Sequence, residues 1–191
     1  MRTFAMISYL KIIPFILVTI VIFYVSRKSL RSPNSHGFYR FFAWEAMLIL
    51  TLLNIGYWFR DPFAIHQIIS WLLLFISMFL AFYGIYFLYT IGKPDKNRIV
   101  DTPMMGFEKT TTLVTVGAFR YIRHPLYSSL FILNWGIFFK YPSITGGCLA
   151  LVASLFLVAT AKADEGENIR FFGPAYQDYM KKSKMFIPFI F

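Results

Sequence analysis

Two polar segments hold the residues of this chain whose types and spacing are best suited to chemistry. The first is residues 117–127, which reads Gly-Ala-Phe-Arg-Tyr-Ile-Arg-His-Pro-Leu-Tyr and holds one of the three histidines. Its Pro125 is placed to begin a helix, where a missing backbone N–H costs little. The second is residues 164–168, Asp-Glu-Gly-Glu-Asn, which holds three of the nine acidic residues. We expect the two segments to meet on one face of a membrane and to form the reaction site.

The composition places these segments in a membrane protein. The chain has 191 residues, of which 58% are hydrophobic, whereas soluble domains are about 45–50% apolar. The net charge is +10, but the basic residues flank apolar segments. This pattern favours anionic lipid headgroups over nucleic acid as the partner. We predict a single membrane domain over residues 1–191, with its cofactor-binding and catalytic region in residues 92–191.

Five apolar segments predict an all-α integral membrane protein with five transmembrane helices. They are residues 8–25, 41–59, 65–91, 126–139 and 144–161. The fourth would form only about 21 Å of helix, which is short for a full span. Gly146, Ala150 and Ser154 recur every four residues, a spacing of small residues that allows close helix approach. We therefore predict that the last two helices form a tight hairpin, followed by an amphipathic, interfacial C-terminal helix.

The distribution of lysine and arginine predicts the orientation. The loop 26–40, the segment 92–125 and the tail from residue 162 together hold fifteen of these residues, whereas the N-terminal end and the other two turns hold four. The positive-inside rule places the richer side in the cytoplasm. The N-terminus is then external, the first apolar segment is a retained span, and the C-terminus and both polar segments are cytoplasmic.

The two polar segments resemble the isoprenylcysteine carboxyl methyltransferase family, which belongs with the membrane phospholipid methyltransferases. The residues that carry the resemblance are Gly117-x-Phe119-x-x-x-Arg123-His124-Pro125-x-Tyr127, then Asp164-Glu165, Phe172-Gly173-x-x-Tyr176-x-x-Tyr179 and Ile187-Pro188. The resemblance covers roughly residues 110–190. Phe119 stands where tyrosine is usual, and Asp164 stands where glutamate is usual.

The resemblance implies methyl transfer from S-adenosyl-L-methionine, with S-adenosyl-L-homocysteine as the product. Aromatic faces suit a sulfonium, and Asp164 or Glu165 suits the α-ammonium. The predicted cofactor-binding residues are Leu113, Val114, Gly117, Phe119, Tyr121, His124, Pro125, Leu126, Tyr127, Asp164 and Glu165. The predicted catalytic residues are Arg123 and Glu165, with Arg123 orienting an anionic acceptor or the cofactor carboxylate. No metal ion enters this prediction.

The expected acceptor is lipophilic, and the resemblance favours the carboxylate of an isoprenylcysteine-like or prenylated substrate. A carboxylate is already ionised at neutral pH and needs no general base. An amine acceptor such as a phosphatidylethanolamine headgroup would need one, with Glu165 or Glu167 as the candidate.

Two other classes of function stay open at this point. A membrane sterol reductase using NADPH carries a similar Arg-His-Pro-x-Tyr run, and a non-enzymatic membrane scaffold would bind no cofactor. Each residue also has a purely structural interpretation. His124 would then stabilise a loop, the arginines would anchor the chain at the headgroups, and the tyrosines would belong to an aromatic belt.

Overall fold

Six α-helices build the part of the chain that the computed structural model describes, which is residues 2–99 and 102–188, with side chains from residue 11 onward. The helices are α1 (Arg2–Ser26), α2 (His36–Asn54), α3 (Ile65–Thr90), α4 (Pro125–Phe138), α5 (Ile144–Phe172) and α6 (Pro174–Lys182). Short 3₁₀ helices lie at Ser29–Arg31, Ile55–Tyr57, Gly106–Glu108 and Gly117–Arg120. Residues 110–116 form an irregular segment whose Thr110 makes one bridge to Pro94. Both chain ends of the predicted 1–191 domain, residues 1 and 189–191, lie outside the described residues.

The all-helical prediction is confirmed for the described residues, which contain no β-strand. Where side chains are described, three helical segments are long and apolar enough to cross a bilayer: His36–Tyr57, Ile65–Thr90 and Ile144–Phe172. Large apolar side chains of α1 and α3, such as Val21 and Phe79, are exposed. Exposed apolar faces of this extent suit contact with lipid. The described residues are therefore those of a membrane protein with three candidate spans, and they do not confirm the five spans that were predicted.

Helix α5 ends later than the sequence predicts, and this changes the setting of the second polar segment. We expected the apolar helix to end at Ala161, with the acidic residues following it as a separate segment. The helix instead continues to Phe172, and Gly173, at a φ of +59°, ends it. Successive residues of a helix point about 100° apart. The side chains of Asp164 and Glu165 therefore leave the same helix in different directions.

The helices predicted as a tight hairpin, α4 and α5, contact each other, but each packs mainly on another helix. Helix α5 packs against α2, and α4 packs against α3. Asn134 of α4 donates a hydrogen bond to the Ala150 carbonyl of α5, with an N···O distance of 2.8 Å. Ala150 also packs in one cluster with Leu50 of α2 and Ile137 of α4. The small residues Gly146, Ala150 and Ser154 thus allow three helices to approach one another.

Lys140 ties the turn between α4 and α5 to α3. The sequence suggests a surface charge here, but the side chain is 0% exposed. Its Nζ donates to Gln67 Oε1 at 3.1 Å and lies 3.6 Å from the centre of the Trp71 ring. Gln67 Nε2 in turn donates to the Lys140 carbonyl at 3.0 Å. The ammonium therefore keeps polar and cation–π partners although it is enclosed.

Candidate functional site

Backbone geometry fixes the entry to the first polar segment at Gly117. This residue adopts a φ of +62°, a conformation that favours glycine. A Cβ built at this position would lie 2.7 Å from the Phe87 ring of α3. Gly117 therefore allows the segment to pack closely on α3. Its role is structural, because it does not line the cavity described below.

The chain after α6 runs alongside the first polar segment and holds it in place. The Arg123 N–H donates to the Lys184 carbonyl at 2.7 Å, and the Lys184 N–H donates to the Tyr121 carbonyl at 2.9 Å. The His124 N–H donates to the Met185 carbonyl at 3.3 Å. These bonds position the backbone immediately before α4. The side chains of Arg123 and His124 are thereby aimed at α5.

The side chains of the two polar segments meet, as predicted. Arg123 Nε donates to Glu165 Oε1 at 2.6 Å, and Arg123 Nη1 donates to the Ser183 carbonyl. His124 Nδ1 lies 3.3 Å from Asp164 Oδ2. Its Nε2 lies 3.4 Å from Glu165 Oε1, but the geometry is too poor for a hydrogen bond. The residues predicted as catalytic, Arg123 and Glu165, are thus each other's ion-pair partner.

The surroundings of His124 favour the charged form of its ring. Burial alone would lower its pKa, but the carboxylates of Asp164 and Glu165 outweigh burial and raise the pKa above the ordinary histidine value. The ring stacks on Tyr127, with a centroid distance of 5.3 Å. The start of α4 thus places a buried histidine ring between two carboxylates.

A second ion-pair cluster lies beside the first and was missed by the sequence analysis. His36, the first residue of α2, has Nδ1 at 2.6 Å from Glu167 and Nε2 at 3.2 Å from Glu108. Arg40, one helical turn further on, donates from Nη1 to Glu108. Because both ring nitrogens of His36 face carboxylates, the ring is an imidazolium that donates twice. The available signal was the i, i+4 spacing of two basic residues at the start of an apolar helix.

Glu108 joins the loop between α3 and α4 to this cluster. One carboxylate oxygen, Oε2, accepts from the Met105 N–H at 2.7 Å, and the other accepts from Arg40. Burial would raise the pKa of Glu108, but the charge of Arg40 and the contact with His36 lower it to about 2. The carboxylate is therefore ionised, and it anchors the loop on α2.

One group of the described residues has the side chains and spacing to hold a metal ion. Ligand atoms of His36, Asp164 and Glu167 lie within 4.8 Å of one another. A metal ligand needs a deprotonated ring nitrogen, whereas both nitrogens of His36 contact carboxylate oxygens. The arrangement is that of an ion-paired network.

A cavity of about 870 Å³, including its open mouth, lies between the two clusters. Among the predicted site residues, those that line it are Leu113, Val114, Phe119, Arg123, His124, Pro125, Leu126, Tyr127 and Asp164. Glu165 stands behind this wall and acts on it through Arg123. Tyr121, predicted to offer an aromatic face, is exposed and does not line the cavity.

Other walls come from elements that the motifs did not indicate. Helix α2 contributes Arg40 and Trp44, the loop after α3 contributes Phe107 and Glu108, and α5 contributes Asn168. Tyr176 and Tyr179, which belong to the second motif, line the far side. The cavity thus combines charged groups with aromatic and aliphatic surface.

The lining fits the chemistry of S-adenosyl-L-methionine. The Asp164 carboxylate could hold the α-ammonium, and the Phe119 and Tyr127 rings could hold the sulfonium. Leu113 and Val114 offer apolar surface for an adenine ring.

Comparisons of the chain with protein-family models, curated proteins and solved structures find no match. The resemblance carried by the two motifs therefore stays a prediction, and the function is argued from the geometry of the cavity.

Proposed function

We propose that this chain is an integral membrane methyltransferase that uses S-adenosyl-L-methionine and acts on the carboxylate of a lipophilic, isoprenylcysteine-like acceptor. One observation carries the proposal. Side chains of the two motifs meet at one cavity between apolar helices. Arg123 of the first motif pairs there with Glu165 of the second, 42 positions later in the chain. A cluster used only for packing would not need an ionised carboxylate and aromatic rings around open space.

When bound, S-adenosyl-L-methionine would supply a methyl group to a carboxylate oxygen, the S–C bond breaking as the O–C bond forms, with a thioether and an ester as products. This chain's residues have no proton to remove, because the acceptor is already ionised. Their role is to bind, to orient and to exclude water. Arg123 and Glu165 hold the entry to α4 in position.

The ion pairs of the two candidate bases favour a carboxylate acceptor over an amine acceptor. Glu165 accepts from Arg123, and Glu167 contacts His36 at 2.6 Å. A carboxylate paired with a cation is a weaker base than an unpaired one, because the pairing stabilises its ionised form. A phosphatidylethanolamine-type N-methyl transfer is therefore the second choice.

The arrangement in the membrane belongs to the same proposal. We place five spans by adding α1 and the short α4 to the three candidate spans, with the cavity and α6 on the cytoplasmic side. The support is the fifteen-to-four distribution of basic residues and the basic end of α6, Lys181 and Lys182. Helix α6 then lies at the lipid headgroups.

The acceptor would enter from the bilayer. Trp44, Leu88, Leu126 and Leu130 give the cavity an apolar wall between the helices, and each CH₂ kept out of water contributes about 0.8 kcal/mol. Acceptors with about ten or more carbons should outcompete short polar analogues through apparent affinity. A methylation assay with thioether carboxylates of increasing chain length checks this. Equal activity along the series would contradict entry from the bilayer.

Calorimetry of the detergent-purified chain tests the cofactor. S-Adenosyl-L-homocysteine should bind with a dissociation constant in the micromolar range, roughly −7 to −8 kcal/mol. His124→Ala and Glu165→Ala should each weaken binding by about 1.5–3 kcal/mol, while Arg60→Met, at an exposed arginine away from the cavity, should not. Binding of NADPH alone would favour the reductase, and binding of neither compound would favour the scaffold.

A further inference from the structure

We propose that Arg40 of α2, outside both motifs, binds the α-carboxylate of the cofactor, so that Arg40 and Asp164 form a clamp for a zwitterionic α-amino acid. This inference rests on the proposed function. It names the end of the cofactor that the charged part of the cavity recognises and a residue that the motifs did not indicate.

Arg40 is buried and keeps a hydrogen-bond donor without a partner, as a ligand-binding group can. It lines the cavity and is 4% exposed. Its Nη1 pairs with Glu108, and its Nε has no hydrogen-bond partner in the described chain. A guanidinium carries five N–H donors in a fixed fork. The Nε atom is itself enclosed, so a second carboxylate would satisfy this donor once a small shift of the side chain turns it toward the cavity.

The neighbours of Arg40 leave it able to take a second anion. Glu108, its partner, also contacts His36 Nε2 at 3.2 Å, so that two cations share this carboxylate. The Trp44 ring lies 5.0 Å from Arg40 Cζ and lines the same wall. A ring at this distance restrains the guanidinium and favours its charge.

Asp164 presents the opposite charge at the same end of the cavity. It lines the cavity from α5, and a carboxylate oxygen lies within 4.8 Å of a ring nitrogen of His36. His36 precedes Arg40 by one turn of α2. A cation and an anion therefore flank one space from two helices. An α-amino acid carries an ammonium and a carboxylate on one carbon and matches both, whereas an amine or a phosphate matches only one.

Arg123 is less suited to the carboxylate. Its Nε donates to Glu165, and its Nη1 donates to the carbonyls of Met180 and Ser183. These bonds hold the guanidinium against the tail. The role of orienting a carboxylate, which the sequence suggests for Arg123, is thus transferred to Arg40.

A ligand series on the unmodified chain tests the clamp by calorimetric competition. S-Adenosyl-L-homocysteine should bind about tenfold to hundredfold more tightly than its decarboxylated analogue. 5′-Methylthioadenosine, which lacks the whole amino acid end, should bind more weakly still. Equal affinity for the first two compounds overturns the clamp but leaves the proposed function intact. Failure of all three to bind overturns the proposed function itself.

Variants then assign the carboxylate contact to Arg40. Arg40→Met should weaken binding of S-adenosyl-L-homocysteine about tenfold or more and leave 5′-methylthioadenosine within about twofold. Arg40→Lys, which keeps the charge but loses the fork, should fall between. Arg60→Met is the matched control and should behave as the unmodified chain. Equal losses for both ligands, or no loss for either, would contradict the assignment.

A double variant covers the case in which Arg40→Met does not fold, because that change leaves the Glu108 carboxylate without Arg40. Arg40→Met combined with Glu108→Gln removes both charges together. Size-exclusion chromatography and circular dichroism check that it is folded. It should show the same selective loss for the carboxylate-bearing ligand, and retention of that selectivity overturns the role of Arg40.

Discussion

The charged side chains of the site are buried and lie in contact with groups of opposite charge. On one side His124 lies between Asp164 and Glu165, and on the other His36 lies between Glu108 and Glu167. Removing one partner of a buried pair leaves an uncompensated charge, which costs about 3–5 kcal/mol. Changes at these residues therefore alter stability as well as ligand binding, and the two effects must be measured separately.

The raised pKa of His124 predicts a pH-dependent contribution to stability. Its folded-state pKa lies above the ordinary value, so the contribution is fully present below about pH 6.5 and is lost as the pH rises through the folded-state pKa. The melting temperature of His124→Gln should lie below that of the unmodified chain at about pH 6, and the gap should narrow at alkaline pH. Thermal unfolding in detergent across this range measures the gap.

The same change at His66 provides the control for this prediction. His66 lies in the first turn of α3 and forms no ion pair among the described residues. His66→Gln should show no comparable convergence. A gap for His124→Gln that stays constant with pH would show that its effect is one of packing.

At the scale of elements, the site is assembled from segments that contribute backbone as well as side chains. The chain after α6 bonds to the backbone of the first polar segment, and the loop after α3 is anchored by Glu108. Neither segment is a regular helix, so each depends on its tertiary partners for its conformation. The cavity is therefore sensitive to changes in connections that lie outside the motif side chains.

Deletion of residues 183–191 should weaken binding of S-adenosyl-L-homocysteine. The deletion removes three backbone hydrogen bonds to residues 121–124 and the carbonyl partner of Arg123. At about 0.5–1.5 kcal/mol each, the loss should reduce affinity by about tenfold or more. Calorimetry measures the affinity, and amide hydrogen exchange at residues 117–128 reports the loosened backbone.

A shorter deletion, of residues 189–191 alone, is the control for the deletion of residues 183–191. It keeps every tail contact described above. Unchanged affinity in the longer deletion would show that the first polar segment holds its conformation without the tail.

Lys140→Met should lower stability without changing cofactor affinity. The change removes the hydrogen bond to Gln67 and the cation–π contact with Trp71, together about 1–3 kcal/mol. Lys140 does not line the cavity, so calorimetry should give the affinity of the unmodified chain. Thermal unfolding measures the loss, with Lys28→Met at an exposed lysine as the control. An equal melting temperature in both variants would mean that the enclosed ammonium contributes nothing net.

At the scale of the whole molecule, one polar end and an apolar body define how the chain meets a bilayer. Within the described part of the chain, three helical segments meet the requirements for a span in length and hydropathy, and apolar side chains of α1 and α3 are widely exposed. Both charge clusters lie near the first residues of α2 and α4 and near the last turns of α5. Under the proposed function, a water-soluble cofactor would reach this site from one side and a lipid-like acceptor would reach it from the membrane.

The fifteen-to-four distribution of basic residues predicts the orientation of the whole molecule. A reporter fused after Phe191 should be cytoplasmic, and one fused before Met1 should be external. Activity of paired reporters that function on only one side of the membrane measures this. Both ends on the same side would exclude five spans and would require an even number of them.

Much of the architecture follows from local patterns along the chain. Runs of apolar residues determine where α2, α3 and α5 lie, because a helix that faces lipid must be apolar over its length. The order of Arg123, His124 and Pro125 places a charged pair at the start of α4, since proline at a first helical position fixes that start. The meeting of residues 117–127 with residues 164–168 also follows from the sequence, through the resemblance of the two motifs.

The tertiary structure decided which charged groups complete the site. Nothing in the local sequence places His36 and Arg40 beside Glu108, because their pairing across 68 positions or more depends on how α2 packs against α5 and where the loop after α3 crosses them. Burial of Lys140 likewise depends on Gln67 and Trp71 of a helix distant in sequence. Periodicity and composition describe one element at a time, whereas the partner of a buried charge is set by the contact between elements.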